Sequence, residues 1–341
     1  MKKLRVIFWL IYILVTLSNP EKAKSTSPEN FSTFTEWCLN QTNISSTAKY
    51  TVKILLQKAR TENCVEAGEK LSRLSFISLS NYRIRNITPV SSLKNLTRLS
   101  LNDNQIVELS ALSQLPKLTR LSLDGNRIRN VSDFSKLTNL THLSLSDNNI
   151  KDLSPLSNLT KLTHLKLIFN QIEDLSPLSH LTQLTELNLG VNRISNISPL
   201  ITLTNLTHLY LNDNNIRNLS PLSNLNNLTN LYLYRNEISD ISPLSNLTNL
   251  TYLSLSDNYI IEVSNLSSLN NLKSLILVFN QITTIDSLST LRNLTLLDLS
   301  RNKITDVSSL STLTKLQSLY LRNNPVTEKN CPIQPESICR F

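Results

Sequence analysis

Histidine and carboxylate side chains recur at one fixed spacing in the middle of the chain. His142, His164, Glu186 and His208 each precede the next by 22 residues. If the fold brings them side by side, imidazoles and a carboxylate about 5 Å apart could bind zinc or act as a pH switch. A flat ladder of side chains is poor geometry for tetrahedral coordination, however. We therefore expect no metal and no other cofactor.

Residue patterns typical of enzymes are absent from the sequence. It contains no Ser/His/Asp grouping, no phosphate-binding glycine loop and no cysteine–histidine pairing, which predicts a non-enzymatic protein. The formal net charge is +9, of which +4 lies in residues 1–25, and acidic residues are interspersed throughout the remainder. This modest excess does not favour a nucleic-acid partner.

A 22-residue repeat must position the side chains described above. Asparagine recurs at that interval eleven times, from Asn104 to Asn324, inside blocks that read Leu-x-x-Leu-x-Leu-x-x-Asn-x-Ile. One period earlier the apolar positions persist, with Tyr82 in place of the asparagine. We therefore predict twelve units over residues 74–326, the first of them degenerate.

The pattern within each unit predicts a strand followed by a tight turn. The alternation Leu99-x-Leu101 has the two-residue period of a strand with one buried face. Later apolar positions, three apart, suit a 3₁₀ segment, and Ser-Pro pairs favour its first turn. Because one unit cannot bury enough apolar surface alone, the units must stack. The asparagines would then bond to backbone groups at each bend, which explains how three glycines suffice.

These blocks resemble the 22-residue class of leucine-rich repeats and look most like bacterial internalins, which are secreted or surface-bound adhesion proteins. The resemblance covers residues 74–326. It implies an α/β repeat solenoid, a right-handed horseshoe or arc with a concave parallel β-sheet, 3₁₀ turns on the convex side and a cap at each end. It also implies that the concave sheet binds a protein. No immunoglobulin-like module or cell-wall sorting sequence follows the repeats and the flanks carry cysteines, so surface anchoring and host-cell invasion are not expected.

Side chains between the inward leucines are predicted to face the concave surface, in columns equivalent to residues 98, 100 and 102, with residue 103 at the rim. Tyrosine and arginine are the residue types enriched in binding hot spots. The candidate partner site comprises a tyrosine cluster (His208, Tyr210, Tyr232, Tyr234, Arg235, Tyr252) and two apolar patches (Ile276, Val278, Phe279; Ile168, Phe169). Strand propensity alone is the alternative explanation for the tyrosines. A glycan or cell-envelope polymer, stacked on the same tyrosines, is the alternative ligand.

Both flanks are predicted to cover the ends of the solenoid. Residues 26–73 form the N-terminal cap, with one helix over residues 47–59 and a second over residues 65–74. In the first helix, Tyr50, Ile54 and Leu55, or Val52 and Leu56, are expected to face inward. Residues 327–341 form the C-terminal cap.

Four cysteines lie in these flanks. Coils stacked about 4.8 Å apart place the two ends roughly 50 Å from each other, whereas a disulfide needs Cα atoms within about 7 Å. This leaves the pairs Cys38–Cys64 and Cys331–Cys339.

The first 25 residues have the organisation of a secretory signal peptide. A basic start is followed by an apolar run over residues 6–17, and Ala23 and Ser25 are the small residues before a cleavage site. An uncleaved anchor is the alternative, although the run is shorter than the roughly 20 residues that a span needs. We expect a secreted or periplasmic/extracellular protein without stable membrane insertion, which binds an extracellular or envelope protein, or a glycan.

Overall fold

Three helices precede a parallel sheet in the structure, a computed structural model that describes residues 31–328 and 330–341. The predicted signal peptide, residues 1–25, lies outside the described residues. The helices are α1 (Phe34–Leu39), α2 (Ser46–Ala59) and α3 (Cys64–Ser72). No helix in the described part of the chain is long and apolar enough to cross a membrane.

The sheet has 13 strands in sequential order. The strands are β1 (Phe76–Ser78), β2 (Arg98–Ser100), β3 (Arg120–Ser122), β4 (His142–Ser144), β5 (His164–Lys166), β6 (Glu186–Asn188), β7 (His208–Tyr210), β8 (Asn230–Tyr232), β9 (Tyr252–Ser254), β10 (Ser274–Ile276), β11 (Leu296–Asp298), β12 (Ser318–Tyr320) and β13 (Cys339–Arg340). Along the repeats, every residue pairs with its equivalent 22 positions later, as Arg98 does with Arg120. The predicted open repeat solenoid with a parallel sheet is therefore confirmed.

Short 3₁₀ segments return the chain on the side opposite the sheet. They span Thr88–Ser92, Ser110–Gln114, Ser132–Lys136, Ser154–Leu156, Ser176–Leu178, Ser198–Thr202, Ser220–Leu222, Ser242–Leu244, Ser264–Leu266, Asp286–Thr290 and Ser308–Thr312, with a last one at Glu336–Ile338. In six of the eleven repeat segments a proline stands in the first turn, where its fixed φ fits and its missing N–H costs nothing. The leucines between strand and turn are buried in one continuous core.

The recurring asparagines bind backbone groups of two coils at once. In one coil, Asn148 Nδ2 donates to the carbonyl of Leu145, three residues back, at 3.1 Å. It also donates to Leu123 O in the preceding coil at 3.0 Å. Asn148 Oδ1 accepts from Ile128 N, also in the preceding coil, at 3.0 Å. The same three bonds recur from coil to coil, so these asparagines stabilise the stacking, as the sequence predicts.

The N-terminal helices pack against the first coil and differ in part from the prediction. Helix α1 was not predicted; it begins at a capping box, in which Thr33 and Glu36 each accept from the other's backbone N–H. Its neighbour α3 passes so close that a Cβ on Gly68 would clash with Thr35 Oγ1. In α2, Ile54, Leu55 and their predicted alternatives are all buried. The prediction for Tyr50 is wrong: the residue is 42% exposed, and its hydroxyl donates to Tyr82 O at 2.8 Å.

Both disulfides are formed as the spacing predicts. Cys38 in α1 bonds to Cys64 at the start of α3, with Cα atoms 5.5 Å apart. Cys331 bonds to Cys339, with Cα atoms 5.8 Å apart. The second bridge holds β13 in position, where it adds an unpredicted strand beside β12 and covers that edge of the sheet.

Candidate interaction face

Strands β1 to β12 each bury their central residue and turn the two flanking residues toward the outer surface, where only Ser254 of β9 is itself buried. In β2, Leu99 is 2% exposed whereas Arg98 and Ser100 face solvent. Because the register between strands is straight, equivalent residues form columns along the sheet. The predicted site residues at positions equivalent to 98, 100, 102 and 103 are all exposed or half-buried. We call this surface the concave face.

Three tyrosines on the concave face stack into a ladder. The rings of Tyr210 and Tyr232 are nearly parallel, with centroids 4.4 Å apart and an interplanar angle of 13°. Tyr252 follows at 4.7 Å, tilted by 31°. Burial raises the pKa of the Tyr210 and Tyr252 hydroxyls, which keeps both groups neutral near pH 7. We call Tyr210, Tyr232 and Tyr252 the tyrosine ladder.

Arg235 is held at the rim beside the ladder by two carboxylates. Its Nη1 lies 3.2 Å from Asp213 Oδ1, and its Nε lies 3.6 Å from Asp257 Oδ2. The backbone of Arg235 has φ of 55°, in the left-handed region. With 65% of that side chain exposed, a partner could reach the guanidinium.

The first apolar patch is continuous with the tyrosine cluster. A hollow of about 460 Å³ is lined by Tyr234, Arg235, Ser256, Asp257, Val278, Phe279 and Arg301. Phe279 is 53% exposed, and the Arg301 guanidinium lies 5.8 Å from its ring centroid. From the sequence, the tyrosine cluster and this apolar patch are predicted as separate groups. In the structure both line the same hollow, because the small side chain of Ser256 lies between them. Ile276 lies half-buried on the adjoining strand.

The second apolar patch stays apart from these residues. Ile168 is half-buried and Phe169 is 55% exposed, three coils before Tyr234 and Arg235. Phe169 also has a left-handed backbone, with φ of 57°, at the same position in its coil as Arg235. Val191 follows in the next coil and continues this apolar rim.

The histidine column is organised by hydrogen bonds and stacking. His142 and His164 stack with ring centroids 4.2 Å apart, and Nδ1 of each lies 2.9 Å from the hydroxyl of the preceding threonine. Glu186 lies 3.1 Å from Lys166 Nζ and 3.9 Å from His164 Nε2. Desolvation, with added repulsion from His164 and Arg120, lowers the pKa of His142. His208 stands one strand beyond Glu186 and bonds Thr207 in the same way. Within residues 31–328 and 330–341, no group of three potential ligands is placed to hold a metal ion.

A second hollow occupies the N-terminal part of the concave face. It encloses about 400 Å³, and its ionisable lining residues are Arg98, Arg120, Asp124, His142, His164 and Lys166. The sequence prediction assigns no role to Arg98 and Arg120, although their shared column places them side by side.

Comparison with known families identifies the repeat. A family model described as "Leucine Rich repeats (2 copies)" matches residues 94–136, 138–180, 160–202, 182–224, 204–246, 226–270 and 248–291. A second model, "Leucine rich repeat", matches residues 270–326. The chain belongs to the leucine-rich repeat family. No curated protein was found to match this leucine-rich repeat protein by sequence.

Solved structures place the protein among internalin-like members of that family. An internalin (inlF) from Listeria monocytogenes is 30% identical, with a TM-score of 0.75, over 82% of this chain and 90% of that one. The functional domain of InlJ from Listeria monocytogenes is 30% identical, with a TM-score of 0.62, over 76% of this chain and 65% of that one. The plant peptide hormone receptor RGFR1, solved in complex with RGF2, is similar in fold at 23% identity and a TM-score of 0.62, over 70% of this chain and 42% of that one.

Proposed function

We propose that this leucine-rich repeat protein is an exported, non-enzymatic binding module that recognises a protein partner through its concave face. The tyrosine ladder carries the proposal, because three half-buried tyrosines in adjacent coils are already ordered before binding. Ordering such side chains in advance lowers the entropy cost of association. The hollow beside Arg235 and Phe279 supplies an adjoining apolar surface for a partner's side chain.

The stacking of the ladder favours a protein over a glycan. A sugar ring packs on an exposed aromatic face, but Tyr210 and Tyr232 cover each other's faces at 4.4 Å. What they present to a ligand is a row of ring edges and hydroxyls. Edges and hydroxyls suit the mixed apolar and hydrogen-bonding contacts of a protein interface. A glycan or envelope polymer therefore stays the second candidate.

Export is supported by the two disulfides and the internalin-like fold. Disulfides persist in oxidising compartments and are rare in the cytosol. Residues 1–25 have the pattern of a secretory leader. The partner would accordingly be an extracellular or envelope protein.

A triple substitution tests the proposal. Tyr210→Ser/Tyr232→Ser/Tyr252→Ser should weaken binding to a partner, isolated from extracellular proteins with the intact protein, by at least about a hundredfold, since each hot-spot tyrosine contributes about 1–2 kcal/mol. Tyr259→Ser is the control, because Tyr259 is 54% exposed on the flank of the solenoid and outside the ladder. Isothermal titration calorimetry measures both affinities.

Two results would contradict this assignment. The triple variant could retain its affinity for the partner while its thermal unfolding stays normal, in which case the ladder is not the site. Alternatively, a panel of purified polysaccharides could bind the protein and lose binding in the triple variant, which would favour the glycan.

A further inference from the structure

Basic side chains dominate one edge of the concave face near its N-terminal end. Arg98, Arg120, His142 and His164 occupy one column on four successive strands. Lys166 stands next to this column on β5. The tyrosine ladder begins only two strands beyond β5, at Tyr210. These residues therefore form a second, chemically different surface on the same face.

Arg98 and Arg120 differ from Lys166 on this surface, and from Arg235 elsewhere on the concave face, because no acidic side chain in the described part of the chain pairs with them. Both are exposed, and among the described residues neither has a carboxylate within ion-pair distance. In contrast, Lys166 lies 3.1 Å from Glu186, and Arg235 bridges Asp213 and Asp257. Two guanidinium groups in neighbouring strands, whose backbones lie about 4.8 Å apart, repel each other. An anionic group placed between them would remove that repulsion.

The acidic residues nearby restrict the shape of such an anion. Asp124 lies across the face from Arg120, where its Oδ1 accepts from Ser144 Oγ at 2.6 Å and from Ser146 N at 2.7 Å. Asp103 lies at the rim in the coil before that of Asp124, and Asp147 lies at the rim in the coil after it. A continuous polyanion lying along the face would approach these carboxylates. A polypeptide can instead place single carboxylates beside the two arginines and uncharged side chains beside the aspartates.

Phe76 extends the hollow on the other side of Arg98. Its ring is 54% exposed at the start of the same column, directly beside Arg98 on the neighbouring strand. The hollow of about 400 Å³ thus joins an apolar ring to two free guanidinium groups. This combination suits a segment that alternates acidic and apolar side chains.

We propose that Arg98 and Arg120 bind carboxylates of an acidic segment of the protein partner, with Phe76 contacting an adjacent apolar side chain. The inference rests on the proposed function, since it specifies the chemistry of the partner. The segment would cross the first strands of the face while another part of the same partner contacts the tyrosine ladder. Each arginine can bond a carboxylate through two parallel N–H donors.

A labelled peptide tests the arginine site separately from the ladder. The probe is a fluorescein-labelled peptide of alternating glutamate and leucine, with a glutamine–leucine peptide as the neutral comparison, measured by fluorescence anisotropy at low salt. Arg98→Gln/Arg120→Gln should weaken binding of the acidic peptide at least about tenfold. Arg127→Gln/Arg129→Gln is the matched control, because it removes the same charge from exposed positions outside the concave face. Thermal unfolding of both variants should match that of the parent protein.

The outcomes separate this inference from the proposed function. Loss of peptide binding in the Arg98/Arg120 variant, with binding intact in the control and in the tyrosine triple variant, supports the arginine site. Equal loss in both arginine variants means non-specific attraction and overturns it, as does failure of the acidic peptide to bind the parent protein. Tighter binding of a sulfated oligosaccharide of equal charge, lost in the same variant, would assign the site to a glycan instead. None of these results changes the outcome of the ladder experiment.

Discussion

At the scale of single residues, asparagines in the core and arginines on the face show opposite uses of polar groups. The buried amide of Asn148 bonds backbone atoms of Leu123, Leu145 and Ile128, so its hydrogen-bonding capacity is used within the solenoid. The guanidinium groups of Arg98 and Arg120 are exposed without carboxylate partners in the described part of the chain. Recurrence at 22 residues alone does not distinguish a structural residue from a binding residue. Burial does, because a buried polar group must find its partners inside the protein.

Removing one asparagine amide tests this structural role. Asn148→Ala should lower the free energy of unfolding by about 2–4 kcal/mol, since it leaves the buried N–H of Ile128 without a partner and removes one of the two asparagine donors from Leu123 O and from Leu145 O. The adjacent Asn149→Ala is the control: its backbone N–H donates to Ile128 O, a bond that alanine keeps, so the change should stay within about 0.5 kcal/mol. Urea denaturation followed by circular dichroism measures both. Equal effects of the two substitutions would contradict the structural role of the recurring asparagines.

At the scale of elements, the N-terminal helices depend on a covalent link that the repeats do not need. Cys38 joins α1 to α3, and α1 is less than two turns long, with Phe34, Trp37 and Cys38 buried. Such a short helix is marginal alone. Its formation could not be foreseen from periodicity, because six residues are too few to show a helical period. The signal that was available is Thr33 followed three residues later by Glu36, the pattern of a capping box.

Removing the N-terminal disulfide should loosen these helices and leave the repeats folded. In Cys38→Ser/Cys64→Ser, the amides of α1 and α3 should exchange about a hundredfold faster, because a bridge of this span contributes about 3 kcal/mol. Hydrogen exchange followed by mass spectrometry resolves the two helices from the coils. Cys331→Ser/Cys339→Ser is the control and should change exchange only near β12 and β13. Faster exchange throughout all the coils of the first variant would contradict a local effect.

At the scale of the whole molecule, an unbroken 22-residue period made the fold predictable. The position of every leucine along the sheet follows from the period, and so do the columns of the concave face. Contacts between columns do not follow, because they depend on side-chain rotamers and on small neighbours such as Ser256. The left-handed backbone of Phe169, Arg235 and Phe279 could not be predicted from the sequence either. Glycine usually marks such positions, and none of these residues is a glycine.

Removing one whole coil tests whether the repeat alone specifies the stacking. Deletion of residues 147–168 joins Ser146 to Phe169, at the same point of the next coil, and leaves the tyrosine ladder intact. Because the coils contact only their neighbours through equivalent atoms, the shortened protein should fold cooperatively, with a urea m-value lower by about a twelfth. Deletion of residues 147–166 removes two residues fewer, which places Leu167 and Asn170 out of phase with the core, and it should expose apolar surface and aggregate. Circular dichroism and size-exclusion chromatography compare the folding and the aggregation of the two deletion variants. If both variants misfold and aggregate to the same extent, features of individual coils, not the shared period, stabilise the solenoid.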